Sequence, residues 1–258
     1  MSAPKANVMR EFMYREFGDE HEAHHWWFRA RRAIVRDMLQ RRYHGAGAPV
    51  VDLGCGTGGM LPLLSEFGPV VGLDPAPLAR EYCRTKLNME VIDGSLPDRV
   101  PLASDHYGLA ALFDVIEHVD DDVATLREAW RILKPGGLAV ITVPACPWLW
   151  ARHDEVNEHK RRYTRAELQR KILQAGFRAP RLSYYNFWFL PAIATVRLGQ
   201  KLAGRFYRPS PDNCDLSLSP RWINRILEQV MSSERFLLRY LRLPWGASLI
   251  ATAEKPEN

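Results

Sequence analysis

Cysteine is scarce in this sequence. There are four, at positions 55, 83, 146 and 214, with no C-x-x-C pair. That spacing supports neither a disulfide framework nor a zinc site. Long apolar runs are also missing: the longest in the C-terminal half, residues 187–196, falls far short of the ~20 residues that cross a bilayer. No spanning helix is expected. The first 25 residues are charged throughout and lack an apolar h-region, which excludes a secretory signal and predicts a cytoplasmic protein. No internal repeat or low-complexity segment occurs. Excess charge is small, +5, yet the arginines are uneven, crowding before Arg42, between Arg161 and Arg170, and after Arg197. Such a surplus reads as a solvated basic face, with phosphates or acidic lipids as the alternative partners. No interleaved aromatic and basic platform for RNA is apparent, so a nucleic-acid partner is not expected.

What is present is an alternation. Residues 49–59 read PVVDLGCGTGG, an apolar strand running into a glycine turn. After it, short apolar runs (VVGLD, MEVID, LAALFDV, LAVITVP) alternate with helical stretches. This pattern predicts βαβ units and a doubly wound, seven-stranded Rossmann-like α/β sheet. The helix DDVATLREAWRIL is expected to stop at Lys134-Pro135-Gly136-Gly137. Thr164 is expected to cap the next helix, with Glu167 completing a capping box. The chain divides into a helical lid over 1–45, a cofactor-binding catalytic domain over 46–188 plus 244–258, and a helical insertion over 189–243. In the insertion, Trp222, Ile223, Ile226, Leu227, Val230 and Met231 share one helical stripe. This predicts a cap on its own domain, with a dimer interface or a membrane or lipid contact as the other uses.

The glycines leave the cofactor open, because Gly54, Gly56 and Gly59 satisfy the dinucleotide fingerprint G-x-G-x-x-G. Asp52 decides. A carboxylate beside that loop would repel a pyrophosphate but attracts the ammonium and sulfonium of S-adenosylmethionine. Asp74, at the end of the second strand, can bind a ribose diol under either reading. Asp93 can reach an adenine amino group, and Gly94 leaves room for a flat ring.

DLGCGTGG, GLDPA, IDGS, LFDVIEHVDDD and RILKPGGLAVITVP, in that order, resemble the class I S-adenosylmethionine-dependent methyltransferases, in the subgroup similar to ubiquinone-pathway O-methyltransferases. The resemblance covers about residues 25–178. It implies that Asp52, Gly54 and Gly56 hold the methionine end, Asp74 the ribose, Asp93 and Gly94 the adenine, and Phe113 and Asp114 the amino group. Their loop neighbours Cys55, Gly58, Pro75 and Ser95 join the expected cofactor set. From the lid, Trp27 offers a ring face to the sulfonium, with Trp26 beside it, and Arg29 a partner for the methionine carboxylate.

Methyl transfer to a hydroxyl needs a positioned acceptor and a base. His118, in DVIEHVDDD, can serve as that base. Glu117 and His118 can equally hydrogen-bond the loop or the lid. Some relatives of this fold hold a divalent metal with E-x-x-E-H. Here Asp114 takes the first position and shortens the reach, so no metal is expected. His153, Asp154 and His159 form a second cluster, two imidazoles with an acid to orient one of them. Arg161 and Arg162, followed by Tyr163, can bind an anionic group of the substrate. Pro147, Trp148, Leu149 and Trp150, with Trp188 and Phe189, predict an apolar acceptor pocket. The function expected is methylation of a small molecule on an oxygen of a hydrophobic, aromatic or lipid-linked acceptor. The alternatives are a nucleic-acid or protein methyltransferase, or a cofactor-binding protein without catalysis.

Overall fold

The computed structural model describes residues 22–45, 47–203 and 219–257, with the side chains of 200–203 left aside. The first 21 residues of the expected lid lie outside the described residues. One sheet has the order β3-β2-β1-β4-β5-β7-β6. Its strands are β1 (Val50–Leu53), β2 (Val70–Asp74), β3 (Val91–Asp93), β4 (Tyr107–Phe113), β5 (Leu133–Pro144), β6 (Arg178–Tyr185) and β7 (Ser248–Glu254). Strands β1 to β5 pair in parallel, and β7 runs antiparallel between β5 and β6. The order reverses between β1 and β4. In an open parallel sheet, that is where a crevice forms beyond the carboxyl ends of the strands.

Every residue of β1 and β4 is buried, because helices cover both faces. On one face α5 (Asp122–Ile132) and α7 (Arg165–Gln174) bury Leu126, Ile132, Leu168 and Ile172 against Val51, Leu53 and Leu112. On the other, α2 (Trp26–Arg42) lays Ile34, Val35 and Leu39 over Val50, Leu109 and Val140. The same layer takes Met231 from α9 (Arg221–Tyr240). The insertion is thus joined to the lid: the Trp26 amide donates to Asn224 Oδ1 at 2.9 Å, and Asp37 of α2 accepts from Arg239.

Two local expectations need correction. The helix α5 ends at Ile132, and Lys134-Pro135-Gly136-Gly137 lies inside β5, where pairing with β4 shifts register between Tyr107 and Leu109. Gly136 has φ +75°, so the turn residue makes an irregularity in a strand rather than a break before it. At α7 the Thr164 hydroxyl accepts the Glu167 amide at 3.2 Å, while the Glu167 carboxylate lies 3.8 Å from Lys171. The cap forms, and the acid pairs along the helix. The shorter helices are α1 (Glu22–His24), α3 (Leu61–Leu64), α4 (Pro77–Tyr82), α6 (Arg152–Val156) and α8 (Leu190–Ala203).

Candidate active site

A cavity of about 630 Å³ opens beyond the carboxyl ends of β1, β2 and β4. The glycine loop forms its floor. Gly54 has φ +76°, and a Cβ there would sit 2.9 Å from Val115. Gly56, at φ +54°, has nothing within 4 Å of its would-be Cβ, so bare backbone faces the space. Its amide donates to Asp74 Oδ2 at 2.9 Å while Asp74 Oδ1 accepts from Ala76, which ties the ends of β1 and β2 together. Asp74 lines the cavity, with Cys55 and Pro75.

Asp52 also lines it. This side chain is 2% exposed, and its Oδ1 has no hydrogen-bond partner among the described residues. Burial pushes its carboxyl up to about 7, against the pull of the Arg31 guanidinium. A second acid, missed in the sequence, stands opposite: Glu22 of α1 accepts from the Thr57 hydroxyl at 2.9 Å. A Cβ on Gly59 would come within 2.2 Å of that carboxylate. Burial raises the Glu22 carboxyl too, opposed by Arg31. Two acids and bare amides suit a zwitterionic amino-acid tail. They do not suit a pyrophosphate.

The lid contributes differently from expectation. Trp26 and Trp27 line the cavity, but Arg29 is turned away, its Nε 2.8 Å from Glu228 of α9. The arginine that reaches the site is Arg31, which pairs with Asp114 and stacks its guanidinium 4.7 Å from the Trp27 ring centre. Phe113 and Asp114 line the cavity as expected. Besides Arg29, three expected cofactor contacts lie outside it. Asp93 is engaged by Arg80 at 2.8 Å and Arg99 at 2.7 Å. The space above Gly94 is filled by Leu73, and that above Gly58 by Cys83 and Leu87. Near β3 the lining residues are Ser95 and Leu96.

At the other end the three candidate histidines meet. The His118 and His159 rings are 4.9 Å apart, and those of His153 and His159 6.4 Å. All three line the cavity. Asp154 lies behind them, fully buried. Its Oδ1 is 2.9 Å from His159 Nδ1 and accepts from Arg162 Nε at 2.6 Å. Its Oδ2 accepts from the Ala151 amide and from Arg197 of α8. Burial works to raise this carboxyl, but His159, Arg162 and Arg197 outweigh it and hold it well below the usual range. Burial lowers His118 to about 4, aided by His159; it lowers His153 to about 4 as well, aided by Arg197. Both imidazoles are therefore neutral near pH 7.

Arg161 and Tyr163 are not site residues, since both bond the buried Asp122. The apolar wall is also a correction. The segment from Pro147 to Trp150 does not line the cavity, Trp148 is half exposed, and Trp188 turns outward to Ser233. Phe189 lines the cavity as expected, packed 5.0 Å from Trp26, and the rest of the wall is α8, with Ala192, Ile193 and Val196.

Glu117 is a further polar group at this end. It is wholly buried, lines the cavity, and both carboxyl oxygens lack a partner among the described residues. Burial, reinforced by Asp114, raises its carboxyl well above the ordinary value. Glu117, His118 and His159 each place one ligand atom within 4.8 Å of the others. That donor set, one carboxylate and two imidazoles, fits a small divalent cation. Asp114, whose short reach argued against a metal, is occupied by Arg31, and the third donor is His159, which the fold brings in from a different loop.

The family model described as "Methyltransferase domain" matches residues 14–181. A probable S-adenosylmethionine-dependent methyltransferase of Mycolicibacterium smegmatis is 30% identical over 156 residues, 59% of this chain and 59% of that protein. A ubiquinone biosynthesis O-methyltransferase of Methylobacterium sp. is 31% identical over 126 residues, 42% of this chain and 49% of that protein. The chain thus spans about half to three-fifths of the length of these curated relatives. Among solved structures, a methyltransferase from Thermotoga maritima, described as a possible histamine N-methyltransferase, superposes with TM-score 0.56 at 21% identity, covering 94% of this chain and 99% of that one. Phosphoethanolamine N-methyltransferase 2 of Haemonchus contortus, solved with S-adenosylhomocysteine, gives 0.52 at 16% identity, over 86% of this chain and 52% of that one. These likenesses show the class I fold.

Proposed function

Because this chain belongs to the methyltransferase-domain family, we propose that it moves the methyl group of S-adenosylmethionine to an oxygen of a small, largely apolar acceptor. The observation that carries this reading is the two-ended cavity. Asp52, with one oxygen unpartnered among the described residues, and Glu22, held by Thr57, flank bare glycine backbone at one end; three histidines face an apolar helix at the other.

S-Adenosylmethionine supplies an electrophilic methyl on a sulfonium. Asp52 and Glu22 receive the ammonium, the Gly54 to Gly56 backbone admits the methionine tail, and Asp74 takes the ribose. Ser95 and Leu96 border the adenine. Trp27, with Arg31 against its ring, closes the tail from water.

At the acceptor end His159 is the base. Asp154 fixes Nδ1 as the protonated nitrogen and leaves Nε2 to face the cavity. The acceptor hydroxyl gives its proton to Nε2, its oxygen forms the new bond to carbon, and sulfur keeps the electron pair of the bond that breaks. Glu117, His118 and His159 could instead hold a divalent ion, in which case His159 would act as a ligand rather than as the base and the ion would supply Lewis-acid polarisation that lowers the pKa of the hydroxyl. His159→Ala is expected to lower kcat by ~10²–10⁴ with donor affinity unchanged, the range for losing a positioned base.

Two measurements test the function. S-Adenosylhomocysteine should raise the melting temperature while NAD does not. Incubation with labelled donor and small-molecule extracts should yield a low-mass product heavier by one labelled methyl. Label appearing only in RNA or protein would sink the small-molecule reading.

A further inference from the structure

The single stripe expected on α9 divides into two apolar faces, and among the described residues only one of them is covered. Met231 and Leu238 turn toward α2 and the sheet, with Met231 fully buried. At 100° per residue, Trp222, Ile226, Val230 and Tyr240 fall within about 80° of one another on the opposite side. Their exposures are 68%, 51%, 38% and 85%. Two more tryptophans extend this face. Trp188 Nε1 donates to Ser233 on the same side of α9, and Trp245 stacks with Phe187, ring centres 5.9 Å apart. Buried Glu234 accepts both the Phe187 and Trp188 amides, so the turn that carries Trp188 is fixed from beneath.

Charge says what this face meets. Arg221 and Arg225 lie along one border of the stripe, about 60–100° from Trp222 on the helix. No acid on the outward side of α9 answers them among the described residues: Glu228 is paired with Arg29, and Glu234 is buried. A two-fold dimer through this face would set the arginine rows of two copies against each other without compensation. Exposed tryptophan and tyrosine bordered by arginine is instead the composition that settles at a bilayer interface carrying negative headgroups.

The cavity supplies the reason. Val196 of α8 both lines it and is 58% exposed, so it opens to the outside along a helix that begins two residues after Trp188. We propose that the outward face of α9, with Trp188 and Trp245, docks on an anionic lipid bilayer, so that an apolar acceptor passes from the membrane along α8 to the histidines. The route rests on the methyltransferase reading; the docking does not.

The test is co-sedimentation of the full chain with vesicles of phosphatidylcholine containing phosphatidylglycerol, against phosphatidylcholine alone. Binding should be confined to the anionic vesicles and fall with added salt. Ile226→Asp should abolish it, and Arg221→Ala or Arg225→Ala should each weaken it about fivefold. All three sites are exposed, and retained thermal stabilisation by S-adenosylhomocysteine in each variant shows that the fold and the cofactor site persist. Absence of binding to either vesicle, equal binding to both, or binding unchanged by Ile226→Asp overturns the proposal. A dimer in sedimentation equilibrium that Ile226→Asp dissociates assigns the face to a second copy and also overturns it. Loss of cofactor binding in the native chain would overturn the methyltransferase reading instead.

Discussion

A single carboxyl, Asp52, decides what the glycine loop can hold, and its titration makes the decision measurable. Burial holds its pKa near 7 in the folded chain, above the ordinary carboxylate value. A bound ammonium favours the ionised form, so affinity for S-adenosylmethionine should rise as pH climbs through about 7 and fall by up to about tenfold per unit below it. Calorimetric titration at pH 6 and 8 reads the effect directly, and Asp52→Asn should flatten it. A slope that survives in Asp52→Asn would assign the titration to another group. Stability runs the other way: between pH ~4 and 7 the folded chain keeps a proton that the unfolded chain releases, so this residue's contribution declines as pH rises. Asp52, Gly54, Gly56 and the three histidines were legible because local motifs mark them. Arg31 was not. Arg29 and Arg31 sit two positions apart on one helix, about 200° around its axis, and only the packing of α2 against the sheet selects which one turns inward. Glu22 was hidden for the same reason, since nothing nearby in the sequence says that it will meet Thr57.

At the scale of elements, the loop after β5 and its short helix α6 are organised around one buried charge. Asp154 is bonded by His159, Arg162, Arg197 and the Ala151 amide, from α6, the following loop and α8. Asp154→Asn keeps the volume but leaves Arg162, 6% exposed, without its counter-ion. Breaking a buried pair from one side costs roughly 3–5 kcal/mol, and calorimetric melting should show a loss of that order. The same substitution frees His159 Nδ1, so kcat should fall further than stability at the assay temperature explains. Acid should weaken this region first. Asp154's contribution is present at neutral pH and is lost as pH falls below the ordinary carboxylate range. His118 and His153 add to this: below about 6.5 the unfolded imidazoles take protons that the folded ones refuse until about 4, so stability declines across that window. The sequence placed His153, Asp154 and His159 in one loop, but apart from Phe189 it placed the apolar wall wrongly. Tryptophans in 147–150 are close in sequence to the histidines, whereas α8 reaches them only through the fold.

For the whole molecule the question is whether the insertion is an attachment or part of the core. The alternation of strands and helices made the doubly wound sheet legible, since each βαβ unit is local. The meeting of α2 and α9 was not, because it joins residues nearly two hundred positions apart, as in the Trp26 to Asn224 bond. Met231 is the sharpest probe. It is fully buried among residues of α2 and the sheet, in one cluster with Ile34, Tyr185 and Ile250. If α9 is structural to the sheet's second face, Met231→Ala leaves a cavity that costs about 2–5 kcal/mol, and it lowers one cooperative melting transition of the entire chain. A detached cap would behave otherwise, with two transitions or a main transition left unmoved. Because α2 also carries Trp27 and Arg31 into the cofactor end, loosening its contact with α9 should weaken S-adenosylhomocysteine binding in the same variant. Methyl donor and acceptor ends would then be coupled through one helix pair, and differential scanning calorimetry with and without ligand would measure that coupling.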